Sequence, residues 1–161
     1  MINSISSIED AERVIRSALI DAGGLSDEYV INALSAYGAD LATVFDDYQS
    51  SIAHPSASPE EERDEAIVIF ETRCNTDSKD NCIDCDVIHQ AYTMHVTIYG
   101  DRSDSLARKI KAYLLDIDSK LHMQIHGVHI SSVSNIESKN EFKNEVMWQR
   151  RDFDIGFSVR F

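Results

Sequence analysis

Apolar side chains at Ile8, Ala11, Val14, Ile15, Ala18, Leu19 and Ala22 recur at the spacing that puts them on one side of a helix. Ser6-Ser7-Ile8-Glu9 stands in front of them as a capping box, in which Ser6 accepts from the Glu9 amide and the Glu9 carboxylate reaches back. A helix over about residues 7–22 is predicted, and Gly23-Gly24 stops it. Ser26 is placed to cap a second helix with the stripe Tyr29, Val30, Ala33, Leu34 and Tyr37, ended by Gly38, so residues 1–38 are expected to form a helical hairpin. Residues 41–48 are short and hold β-branched and aromatic side chains, which favours a strand. Residues 50–65 are polar, contain both prolines and close on the run Glu60-Glu61-Glu62-Arg63-Asp64-Glu65, the pattern of a mobile acidic loop.

Beyond residue 65 the period changes from helical to alternating. Residues 66–74 begin apolar on both phases, as a buried strand does, and residues 87–99 carry Tyr92, Met94, Val96 and Ile98 on one face of a longer strand. The hydrophilic stretch 75–86 joins them. After a turn at Gly100, Leu106, Ala107, Ile110, Tyr113, Leu114 and Ile117 recur at helical spacing beside the basic edge Arg108, Lys109 and Lys111. Val128 and Ile130 open a further strand, residues 136–145 read as a polar loop, and Phe153, Ile155, Phe157, Val159 and Phe161 alternate with Asp152, Asp154, Gly156, Ser158 and Arg160 in a last strand with one dry and one wetter face. The predicted class is α+β: a single domain over 1–161, in which 66–161 supplies a mostly antiparallel sheet plus one main helix, with the helices packed on one face. Val96, Ile98, Leu106, Ile110, Leu114, Phe153, Ile155 and Phe157 are its expected core.

The 161 residues suit one such core, and 43% hydrophobic content with two prolines and six glycines is that of an ordinary globular chain. The absence of a long apolar run, and of a basic-then-apolar start, predicts a protein that neither spans a membrane nor leaves the compartment where it is made. Three cysteines are too few for a disulfide framework and fit a reducing cytoplasm. Net charge is −13, which opposes tight nucleic-acid binding, because a phosphate grip rests on Lys and Arg. Residues 1–65 hold 14 acidic and 3 basic side chains, residues 66–161 hold 14 and 12, so the field belongs to the front of the chain.

Candidate chemistry is sparse. Cys82-Ile83-Asp84-Cys85 has the gap of a zinc knuckle, and Cys74 with His89 would complete three sulfurs and one nitrogen around a tetrahedral ion. Plain thiols are preferred, since the CxxC is not repeated and its loop is acidic. A redox CxxC would open a helix, whereas this one precedes a strand. Asp77, Asp80, Asp84 and Asp86 crowd the same loop, but Lys79 and the missing glycine break a calcium frame. His122 and His126 share a face only if the helix extends that far. Trp148 ahead of Arg150-Arg151 is out of phase with Phe153, which reads as a bulge, an Arg–Trp stack being compatible. No phosphate loop, GxSxG, HExxH or dinucleotide fingerprint occurs. No catalytic, cofactor-binding or metal residue is therefore nominated, and an enzyme is not expected.

The run His95-Val96-Thr97-Ile98-Tyr99-Gly100, the helix Ser105-Leu106-Ala107-Arg108-Lys109-Ile110, Gly127-Val128 and the closing Trp148-Gln149-Arg150-Arg151-Asp152-Phe153-Asp154-Ile155 stand in an order and spacing that resembles the phage neck and tail-terminator family, the siphophage tail terminators in particular. The likeness covers roughly residues 90–161. It implies a structural virion protein of the tail and neck, assembled in the host cytoplasm, that caps the completed tail tube as a hexameric ring and gives the head connector its attachment surface. Its implied partners are other copies of itself, the tail tube protein and the head-completion or connector protein, with DNA passing through the ring without tight binding. A head-completion or head–tail joining protein of the same neck is the alternative, and a small zinc-stabilised binding module is one from another class. The loops 50–65, 75–86 and 136–145 are the expected axial contacts.

Overall fold

A computed structural model describes residues 7–25, 27–33, 66–75, 89–143 and 146–160. Helix α1 (Ile8–Gly23) forms where its apolar stripe predicts, with Ala11, Ile15, Ala18, Leu19 and Ala22 buried. Its cap is shifted by one residue: Ser7 accepts from the Asp10 amide at 3.3 Å, because Ser7 is the last extended residue and its hydroxyl is the one in reach of the first turn. Gly24 closes the helix in the left-handed region at φ 61°, returning its N–H to the Ile20 carbonyl, a conformation any Cβ would strain.

The second arm of the expected helical hairpin over 1–38 is not formed among the described residues. Asp27–Tyr29 is a single 3-10 turn and Val30–Asn32 is strand β1. Arg16 on α1 holds this segment in place. Its guanidinium donates to the carbonyl of Asp27 at 2.7 Å and to that of Val30 at 3.1 and 3.2 Å, and it pairs with the Asp27 carboxylate at 2.6 Å. These bonds hold residues 27–30 against α1, and β-branched Val30 and Ile31 pair with β2 in the sheet. Residues 34–65 and 76–88, which take in the strand expected at 41–48, the loop at 50–65 and all but Asn75 of the loop at 75–86, lie outside the described residues.

The sheet runs β1-β2-β3-β8-β4, with β2 (Ile67–Cys74), β3 (His89–Tyr99), β4 (Val128–Val133) and β8 (Arg150–Arg160). Only the β1–β2 pairing is parallel, and the short β5 (Glu137–Ser138) extends the β4 side of β8. β4 carries a bulge between Ile130 and Ser132, opposite Gly156. A Cβ on Gly156 would stand 2.5 Å from Ser132 Oγ, so a side chain there would make the Ser132 hydroxyl move.

Two helices follow β3 in place of one main helix. α2 (Ser103–Leu115) ends at Asp116, whose backbone turns extended and whose carboxylate accepts from the Ser119 amide, capping α3 (Ile117–Ile125). The helix restart places Ile117 on a new axis, away from the α2 stripe it was read with. α2 lies over β3, β8 and β4 beside α1, and α3 lies on β4 at the sheet edge. Between helices and sheet sit Ile15, Leu19, Phe70, Met94, Val96, Ile98, Ile110, Leu114, Phe153, Ile155 and Phe157, all buried, and the whole predicted core is among them or their neighbours. The fold is thus α+β with a mostly antiparallel sheet and helices on one face. Among the described residues no helix is long and apolar enough to cross a membrane.

Candidate functional site

The sheet face turned away from the helices is where structure departs furthest from sequence pattern. On adjacent strands Tyr99 stands opposite Arg150, Thr97 opposite Asp152 and His95 opposite Asp154, because alternation sends Val96, Ile98, Phe153 and Ile155 to the core and these polar residues to the other side. That side was expected to be wet, yet Asp152 is 1% exposed. Arg150 grips it with two parallel bonds, Nε to Oδ1 and Nη2 to Oδ2, both 2.8 Å. His95 Nε2 lies 3.0 Å from the same carboxylate, while its Nδ1 lies 2.6 Å from Asp154 Oδ1. A neutral imidazole can donate only once, so both contacts are hydrogen bonds donated by the ring only when it is doubly protonated.

Burial alone would raise the Asp152 carboxyl, but the hydrogen bond and charge of Arg150, and then those of His95, hold it below its ordinary range. The same hydrogen bond to Asp152 pushes Arg150 further up, against its own partial burial, so the guanidinium is permanently charged. Arg150 also donates from Nη1 to Glu141 Oε2 at 2.9 Å, and the Tyr99 hydroxyl donates to that same oxygen at 2.8 Å. Burial first, and then this bond to Glu141, raise the Tyr99 phenol well above its usual value, which keeps it a donor. The guanidinium lies 5.5 Å from the Tyr99 ring centre, and Trp148 meets that ring edge-on with centroids 6.4 Å apart.

The network fastens a β-ribbon, β6 (Glu141–Lys143) paired with β7 (Val146–Trp148), where residues 136–145 were expected to be loop. Opposite one another, Glu141 and Trp148 turn to the sheet; the next pair, Phe142 and Met147, turns outward and is 67% and 62% exposed. The phase break at Trp148 is therefore no bulge in the last strand. Trp148 belongs to β7, Gln149 separates it from β8, and the Arg150 guanidinium lies over Tyr99. A second apolar patch lies on α3: Ile117, Leu121 and Ile125, one turn apart, are 70%, 53% and 61% exposed, with Leu115 beside them, while Ser119 and Met123 bury the other side.

Of the residues singled out for metal chemistry, only Cys74 and His89 are among the described residues. Cys74 ends β2 as an exposed thiol and receives a hydrogen bond from Gln90. His89 opens β3, whereas Cys82 and Cys85, like Asp77, Asp80, Asp84 and Asp86, lie outside the described residues. Among the described residues no cluster of three His, Cys, Asp or Glu is placed to hold an ion. His122 in the last turn of α3 and His126, its C-cap, stand with ring centroids 5.0 Å apart. A shallow groove beside α1 is lined by Glu9, Glu12, Asn32, Thr72, Cys74 and Tyr92, and there burial and then Glu9 raise the Glu12 carboxyl. The network around Asp152 was missed by motif reading, although its signal was present: Arg150, Asp152 and Asp154 alternate on one face of a single strand, opposite charges two residues apart.

A family model described as phage neck terminator protein matches residues 35–161. No curated protein matches the chain.

Proposed function

The chain belongs to the phage neck terminator protein family, a structural component of the phage neck, and from that premise we propose that it caps the completed tail tube as a six-fold ring and gives the head connector its attachment surface. The observation that carries this reading is the pair of apolar patches, Phe142 with Met147 on the ribbon and Ile117, Leu121 and Ile125 on α3, each exposed on a braced element. Large apolar side chains left in water on a rigid base mark a docking surface rather than a packing fault. The proposed role is structural and not enzymatic, with the tail tube protein, the connector and further copies of the chain as partners. The axial contacts are assigned to residues 50–65 and 75–86, which are long and polar. A net charge of −13 supports a bore through which DNA slides without being trapped.

The test is electron microscopy of particles from a phage lacking this protein. Filled heads beside separate tails of abnormal length are expected. Normal tails with leaking heads would move the protein to head completion, and intact infectious particles would overturn the neck role proposed for it.

A further inference from the structure

We propose that copies of this chain join head to tail, the α3 stripe Ile117, Leu121 and Ile125 of one copy seating on the outward Phe142–Met147 pair of the next. This names the lateral contact of the proposed ring and rests on that reading.

The two patches lie on different parts of the fold. α3 sits on the helix side at the β4 edge, whereas the ribbon is bound through Glu141 and Trp148 to the face opposite the helices. Two unlike patches on one subunit are what a heterologous contact requires, and a heterologous contact that closes makes a ring in which every copy has both patches covered. An isologous pair, α3 against α3, would close at two copies and leave Phe142 and Met147 in water.

Area supports the same occupant. Leu115, Ile117, Leu121, Ile125, Phe142 and Met147 are 43%, 70%, 53%, 61%, 67% and 62% exposed, and at roughly 170 Å² for a large apolar side chain their mutual burial removes roughly 600 Å² of apolar surface from water. With an apolar share of roughly 60%, that is a contact of about 1,000 Å², the size at which specific interfaces begin. Charge permits it too. The edge that carries α3 is the one farthest from β1 in the sheet, and the strongly acidic front of the chain, with 14 acidic and 3 basic residues before position 66, includes α1 and β1. The segment 66–161, which bears both patches, is nearly balanced, with 14 acidic and 12 basic residues, so its own charge adds little like-charge repulsion to the contact.

A phage deleted for this protein and complemented with the full chain bearing L121C and M147C together should yield virions that show, on non-reducing gels, a ladder of dimers up to hexamers that reductant collapses. L121C alone and M147C alone should match the wild-type chain, whose own cysteines set the baseline. Dimers from L121C alone would overturn the proposal in favour of a two-fold contact. No ladder from particles whose neck ring is visible by microscopy would also overturn it while leaving the ring intact; no ring in any particle would remove the ring reading itself. As an independent measure, Leu121→Glu and Phe142→Glu should each lower plaque yield by about 30-fold or more, the effect of one lost interface hot spot, with an unchanged melting temperature. Yields within about two-fold of wild type for both would overturn the contact.

Discussion

Asp152 concentrates the electrostatics of this fold in one side chain. Its bidentate bond to Arg150 is nearly dry, with the carboxylate side chain 2% and the guanidinium side chain 25% exposed. Asp152→Asn would leave Arg150 half-buried with Glu141 as its remaining anion, and is expected to cost about 3 kcal/mol, the lower end for breaking a buried pair. Urea midpoints at constant slope would measure it. The pH dependence has a definite sign. The folded-state carboxyl lies below its ordinary value of 3.8, so its stabilisation is fully present above that value and is lost as pH falls through the lower folded one. The wild-type acid limb should therefore fall more steeply than that of Asp152→Asn; parallel limbs would show that Asp152 is not held down in the folded protein. The alternation at 150–154 announced an outward charged face. That one of those charges would be buried was not legible, because burial depends on Lys139 and His95 arriving from two other segments to join Arg150 of the same strand.

Among the elements, the ribbon is the one that tertiary contacts made. Residues 141–148 lack a strong strand pattern, and a two-stranded ribbon is marginal in water; Glu141, bound by both Tyr99 and Arg150, and Trp148, edge-on to Tyr99, hold it. Tyr99→Phe removes one donor to a charged acceptor and should cost about 1.5 kcal/mol. Amide exchange at Glu141 and Trp148, the hydrogen-bonded pair at the open end of the ribbon, should quicken by about ten-fold while Met94 and Val96 stay protected; unchanged exchange in the ribbon would mean that Tyr99 is not its anchor. The opposite case is the helix expected after Ser26. Its stripe was there in the sequence, but Arg16 ties residues 27–30 to α1 and β1 pairs with β2 instead. Long amphipathic elements, α1, α2, β3 and β8, formed where their period placed them, since each buries a full face whatever its neighbours are.

At the scale of the whole molecule, the net charge of −13 opposes self-association while the apolar patches favour it. Raising salt from about 10 mM to about 150 mM shortens the screening length from about 30 Å to about 8 Å, so sedimentation should show the chain associating more strongly at the higher value. Weaker association in salt would mean that ion pairs, not Phe142, Met147 and the α3 stripe, hold the copies together. Periodicity was enough to establish the α+β class and the core residues, because these follow from how each segment must divide its own surface between oil and water, and the order of motifs over the second half carried the resemblance to the family. The buried Asp152, the ribbon that presents Phe142 and Met147, and the turn at Asp116 that leaves Ile117, Leu121 and Ile125 exposed came from the tertiary structure alone, because each depends on which distant side chains meet, and local pattern carries no record of that.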